Sequence, residues 1–223
     1  MASEQARQST QPDLVVLREP DSEPAQAYRS VRETLRHAGD DSRIRSVLLA
    51  DAGSREDTGV AAANIAASFA LNGEPTVLVD LDAANPALPG LFNAAARPGL
   101  IDWLPGADQA DAGAPETVPT GIESLTLLPA GVRSDASTRA ALADLLTARR
   151  CRSLITALDN DGLVIFHGTV APVSSQALTV AAGVDAVVLL VHSGVTKRTD
   201  AQRAKDALQR VGANLLGVVL INS

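Results

Sequence analysis

Lysine is nearly absent. Only Lys197 and Lys205 occur in 223 residues, and every cationic side chain before them is an arginine or a histidine. Any site in that long first part must therefore work without an ammonium group. Cysteine occurs once, as Cys151, which excludes a disulfide framework within the chain and suits a reducing compartment. Arg149, Arg150 and Arg152 surround it, a setting that favours a low-pKa thiol. No catalytic partner is evident, so an inert cysteine is expected. Aromatic residues make up 2%, so a core must be built from Ala, Val, Leu and Ile. No apolar run approaches the roughly 18 residues that a membrane span needs. Positive charge is in deficit, with a formal net charge of −7. That argues against general nucleic-acid binding and against adhesion to an anionic membrane.

What is present is globular in character, with 46% hydrophobic and 20% charged residues, and a chain this long can bury a full core. Met1–Asp13 is polar, unlike a signal or transit peptide, and is expected to be a disordered lead. Residues 14–223 are expected to form a single domain in the cytoplasm. Leu14–Pro24 reads as extended with turn residues. Ala25–Gly39 reads as an amphipathic helix with Ala27, Val31 and Leu35 on one side. Apolar runs then alternate with helical patterns. Strands are predicted at Ser46–Ala50, Thr76–Leu81, Leu125–Leu128, Leu163–Phe166, Ala186–His192 and Leu215–Ile221. Helices are predicted at Gly59–Leu71, Ser137–Thr147, Ser174–Ala182 and Lys197–Val211, and Pro105–Thr120 is the most loop-like internal stretch. Continuous apolar strands imply burial on both faces. The alternation implies an α/β fold: three layers, a mainly parallel sheet with helices on both faces, and ligands at the carboxyl ends of the strands.

Several segments carry a resemblance. "EPAQAYRSVRETLR", "AAANIAASFALNGEPTVLVDLDAANPALPGLF", "RPGLIDWLPG", "LTLLPAG" and the run from Val184 to Asn222 follow one another in the order found in bacterial tyrosine kinases of capsule and exopolysaccharide export. From about Leu14 to its end, the chain resembles the cytoplasmic domain of that family. The family belongs to the deviant P-loop ATPases, together with the cell-division and partition ATPases. The resemblance implies a P-loop NTPase-like fold of the partition-ATPase type.

The motif positions depart from that family. A phosphate loop works through inward backbone N–H groups, a helix N-terminus, a lysine on the outer phosphates and a hydroxyl on Mg²⁺. The loop here reads Asp51-Ala-Gly-Ser-Arg-Glu-Asp-Thr-Gly-Val60. Aligned on Ala63-Asn64-Ile65-Ala66, the lysine falls on Thr58 and the metal-binding hydroxyl on Gly59. A one-residue slip puts Thr58 at the hydroxyl and Asp57 at the lysine. Asp51, Glu56 and Asp57 against Arg55 give the loop a net charge of −2. At an effective dielectric near 20, each like-charge pair at 4 Å costs on the order of 4 kcal/mol. Arg55 is the cation available to a phosphate, with a geometry unlike that of lysine.

The family's Asp-x-Asp is kept as Asp80 and Asp82, but Ala84 replaces the arginine that follows. The acid that organises Mg²⁺ and water becomes His167, a poor ligand for an ion that prefers oxygen. A transition metal on His167, Asp80 and Asp82 is the alternative reading. A further family acid becomes Gln176. The Glu-x-x-Arg-x-x-Arg that lies between subunits of a ring becomes Gln26, Arg29 and Arg32, which reads either as a retained protomer contact or as an ordinary solvent face. The resemblance implies a C-terminal tyrosine cluster, whereas the only tyrosine is Tyr28.

The resulting expectation is a catalytically degenerate regulator or adaptor in polysaccharide synthesis and export, with no catalytic residues, no metal and no cofactor. Arg55, Thr58, Gly59, Asp80 and Asp82 would form a vestigial nucleotide site. The implied partners are the cytoplasmic tail of a membrane polysaccharide co-polymerase, which would recruit the chain to the inner face of the membrane, and further copies in a homo-oligomer. Two alternatives stand beside it. One is an active tyrosine autokinase of the same pathway using ATP and Mg²⁺, and the other is a partition-type positioning protein.

Overall fold

The computed structural model describes residues 12–38, 43–53, 58–82, 87–94, 97–109, 113–131, 142, 144–158, 162–169 and 174–222. Most of the predicted lead, residues 1–11, lies outside them.

The described residues contain a seven-stranded sheet: β1 (Ser46–Asp51), β2 (Thr76–Asp80), β3 (Val118–Pro119), β4 (Leu125–Leu128), β5 (Leu163–Thr169), β6 (Ala186–His192) and β7 (Leu215–Ile221). The order across the sheet is β3-β4-β2-β5-β1-β6-β7, and every pairing is parallel except that of β3 with β4. β1 shows why its sequence is apolar throughout. Val47 and Leu49 enter one core while Leu48 and Ala50 enter the other, and all four are fully buried. A strand covered on both sides cannot alternate with polar residues.

One face is covered by α1 (Val15–Arg18), α2 (Glu23–His37), α3 (Thr58–Ala70) and α4 (Ala87–Leu91). The other is covered by α5 (Leu100–Trp103), α6 (Ala148–Leu158), α7 (Ser175–Ala181) and α8 (Arg198–Arg210). The fold is thus the expected three-layer α/β arrangement. α3 is buried nearly all round because its alanines let it pass between the sheet and the outer helices. Its single amide, Asn64, is 1% exposed and satisfied at both ends. Its Oδ1 accepts from Val16 N–H at 3.2 Å and its Nδ2 donates to Val60 O at 2.9 Å.

The structure corrects several expectations. Val15–Arg18 is a helical turn rather than an extended stretch, because Val16 N–H finds its acceptor on α3 and its side chain joins the core. In α2 the inward residues are Ala25, Tyr28, Val31 and Leu35, while Ala27 is exposed. Ser22 caps this helix, its Oγ accepting from Ala25 N–H at 3.3 Å. Most of the helix predicted at Ser137–Thr147 lies outside the described residues. Ala148–Leu158 forms a helix that was not predicted, and the loop-like stretch contains a 3₁₀ turn at Leu104–Gly106 and the short strand β3. No helix among the described residues is long and apolar enough to cross a membrane.

Candidate functional site

The carboxyl ends of β1, β2 and β5 converge beneath the first turn of α3. Asp80 is the register partner of His167, and His167 is that of Leu49. Asp51, two residues beyond Leu49, therefore projects from the same face. Thr58, the first residue of α3, completes the group. Asp51, Thr58, Asp80 and His167 are all 5% exposed or less.

Their hydrogen bonds are internal. Asp51 Oδ1 accepts from Gly53 N–H at 2.9 Å, and Asp51 Oδ2 accepts from the Thr58 hydroxyl at 3.2 Å. Gly53 has φ 102°, a left-handed conformation suited to glycine that turns its N–H back onto the strand end. His167 Nε2 lies 3.3 Å from Thr58 Oγ1. With the hydroxyl proton committed to Asp51, the imidazole is assigned as the donor, which puts its proton on Nε2. Nδ1 is then a bare acceptor, and it is buried with no partner among the described residues. Asp80 Oδ2 is orphaned in the same way, while its Oδ1 accepts from Asp82 N–H at 2.9 Å.

Burial pushes the Asp80 carboxyl up to about 7, opposed by the Asp82 N–H bond and reinforced by the Asp82 charge. Burial pushes His167 down to about 4, opposed by Asp82. Near pH 6 the pair therefore holds one proton, on Asp80, and both side chains are neutral.

Among the described residues, this arrangement differs from a site for Mg²⁺ and a nucleotide in two respects. A phosphate loop offers backbone N–H groups to the phosphates and a hydroxyl to Mg²⁺, and here the Asp51 carboxylate takes one N–H and one hydroxyl. The His167 ring nitrogen is neither an oxygen ligand nor a charge that organises Mg²⁺. The alternative of a transition metal fares no better, since no group of three His, Cys, Asp or Glu side chains suited to a metal occurs among the described residues.

The other predicted site residues separate. Arg55, Glu56, Asp57 and Ala84 lie outside the described residues. Gly59 is buried in the first turn of α3, and Asp82 is half-buried. The Thr58 hydroxyl points to the strand ends, which is the direction of the hydroxyl position in a phosphate loop rather than of its lysine. Gln26 and Arg29 lie on α2, where Gln26 Nε2 donates to Asp21 O at 3.0 Å. Arg32 is used within the chain. Its Nη1 donates to Ser68 O on α3 at 2.9 Å, its Nη2 lies 2.6 Å from Glu33, and its side chain is 14% exposed. Arg32→Ala is expected to cost about 1.5–3 kcal/mol in urea unfolding, the range for a hydrogen bond to a charged group. Arg29→Ala has no such bond to lose among the described residues. Cys151 is fully buried and its thiol is pushed up to about 11 by burial, against the lowering by Arg152, so the inert reading holds. Asp51 was counted in the sequence only for its charge. The signal for its role was an acid at the end of a wholly apolar strand, one residue before Ala-Gly.

No family model matches the chain. The tyrosine-protein kinase YwqD of Bacillus subtilis is 26% identical over 211 residues, spanning 94% of this chain and 86% of that one. The tyrosine-protein kinase CpsD of Streptococcus pneumoniae serotype 4 is 29% identical over 196 residues, spanning 86% of this chain and 82% of its own. Among solved structures, the chimerical protein CapA2B2 superposes with a TM-score of 0.80 at 26% identity, covering 94% of this chain and 88% of that one. The same layering occurs in the cell division ATPase MinD of Pyrococcus furiosus, which superposes with a TM-score of 0.62 at 18% identity, covering 79% of this chain and 71% of that one.

Proposed function

We propose that the chain is a pseudokinase, related to the bacterial tyrosine-protein kinases it is similar to. It acts as a cytoplasmic regulator or adaptor in exopolysaccharide or capsule synthesis, docked on the tail of a membrane polysaccharide co-polymerase. One observation carries the reading: Asp51 takes the Gly53 N–H and the Thr58 hydroxyl, groups of the kind that would otherwise serve the phosphates and Mg²⁺ of a bound nucleotide. His167 and the absence of any lysine before Lys197 agree with it. Phosphoryl transfer is mostly positioning and charge stabilisation, so losing both removes most of what this fold contributes. The only tyrosine, Tyr28, is half-buried against the core.

The expected result is no heat of binding with Mg²⁺ and ATP at about 1 mM nucleotide, which corresponds to an affinity weaker than about −4 kcal/mol. No tyrosine phosphorylation should accompany it. Mg²⁺-dependent hydrolysis that Asp80→Ala abolishes would overturn the reading. An active kinase is the second reading, favoured by the kinase names of relatives that match most of the chain. It requires Arg55 to stand in for the lysine, so it predicts ATP binding that weakens in Arg55→Ala.

A further inference from the structure

A basic cleft lies apart from the Asp51–Asp80–His167 site. A cleft of about 440 Å³ runs between α6 and the turn after α5, and its walls include Trp103, Ala107, Arg149, Arg152, Ser153 and Thr156. The volume falls in the range of small-molecule sites. On α6, positions 149, 152, 153 and 156 repeat at helical spacing and share one face. Arg149 and Arg152 are both exposed, and neither makes a hydrogen bond or ion pair among the described residues. Arg150, between them in sequence, is fully engaged. It forms an ion pair with Asp108 at 2.6 Å and donates to Leu145 O at 3.0 Å, which clamps the 107–109 turn against α6 as one wall of the cleft.

These charges need an explanation outside the fold. The chain has a net charge of −7, yet three of its arginines fall within four residues here. No acid sits in the first turn of α6 to offset them, although cations at that end of a helix are unfavourable. Arg150 is explained by the clamp, and Arg149 and Arg152 are not.

The other wall is aromatic. Trp103 is the only tryptophan in the chain. Its Nε1 donates to Gly113 O at 2.8 Å, so its one polar atom is already satisfied and the ring is held in place. What the indole offers a ligand is apolar surface, on which a base or a sugar ring stacks. Two guanidinium groups one helical turn apart match two negative charges better than a single carboxylate does. Ser153 and Thr156 supply hydroxyls for a polar ring.

We propose that the cleft between Trp103 and the Arg149–Arg152 face of α6 binds a nucleoside diphosphate sugar, with the arginines on the diphosphate and the indole against a ring. This site is separate from the vestigial nucleotide site and does not depend on whether the loop turns over ATP.

Because Trp103 is unique, its fluorescence reports on this cleft alone when excited above the absorption of uridine. Titration of the full chain with UDP-glucose is expected to give a saturable change. The double variant Arg149→Gln/Arg152→Gln should weaken binding at least about tenfold, the loss of charge-assisted contacts. Its melting temperature should not fall, since neither side chain has a partner to lose among the described residues and both cations sit at the unfavourable end of the helix. Inorganic pyrophosphate should bind more weakly than UDP-glucose, having no ring to stack. A flat titration to about 10 mM ligand, or equal affinity in the double variant, would overturn the site. Pyrophosphate binding as tightly as UDP-glucose would overturn the ligand class.

Discussion

Replacing Asp80 with Asn is expected to gain about 3 kcal/mol of stability relative to the wild-type protein as the pH is raised from about 4 to about 7. Asp80 is fully buried, and burial carries its carboxyl from 3.8 up to about 7. Over that interval the unfolded chain has released the proton and the folded chain keeps it. A raised carboxyl contributes stability that is fully present below its unfolded pKa and is lost as the pH rises through the folded one. The asparagine variant has no proton to hold and escapes that loss. Its side-chain oxygen still accepts from Asp82 N–H. His167→Gln should behave in the opposite sense. Burial takes that imidazole from 6.5 down to about 4, so its contribution is present above 6.5 and lost as the pH falls through 4. The variant should therefore gain about 3 kcal/mol on the wild type as the pH is lowered across that window.

In the wild-type protein the two slopes oppose each other. The unfolded pair carries its one proton on the histidine and the folded pair carries it on the aspartate, so the number of bound protons hardly changes. Urea unfolding of the three proteins at several values between pH 4 and 7 reads the differences directly, since the other carboxylates titrate in all of them. Variant and wild-type curves that run parallel would show that Asp80 and His167 titrate normally, and that the site is wetter than its geometry implies.

The same pair shows which parts of the site could be read from sequence. Asp80 and His167 stand at the ends of apolar runs, and runs of that kind mark strands in a parallel sheet whichever helix covers them. Their meeting in register follows from β5 lying next to β2, a neighbour relation that strand patterns leave open. Thr58 was legible as a loop position with a hydroxyl and no ammonium group. Its bond to Asp51 was not, because it depends on how the chain turns at Gly53. The fold misread two helices for different reasons. Val15 and Val16 favour a strand locally, and the acceptor on Asn64 that makes them helical lies 48 residues away. In α6, Cys151, Leu154 and Leu158 do keep a helical spacing, but Arg149, Arg150 and Arg152 around the first of them masked it.

Gly99→Ala is expected to destabilise the protein by about 3 kcal/mol or more, beyond the usual cost of overpacking, because the obstacle is backbone. A Cβ there would stand 2.1 Å from Pro129 O, 2.7 Å from Pro129 C and 2.8 Å from Gly131 N. None of these can rotate away as a side chain could. The approach is close because the segment is bonded to the end of β4. Leu100 N–H donates to Pro129 O at 2.9 Å, and Ile101 N–H donates to Ala130 O at 3.0 Å. Gly99 N–H is itself held by Asp102 Oδ2 at 2.9 Å. Gly99 is extended, at φ −158°, so what the position requires is space rather than a left-handed conformation. Relieving the overlap must break those bonds and shift α5, which carries Trp103 and one wall of the cleft. The variant should thus lose both urea midpoint and the wild-type emission of Trp103. Gly106→Ala, a few residues on, is the matched control: a Cβ there meets nothing within 4 Å. It should stay within about 0.5 kcal/mol of the wild type. If the two alanine variants unfold together, Gly99 does not seat α5 on the sheet, and the cleft that α5 helps to form would have to be held by the Arg150–Asp108 clamp alone.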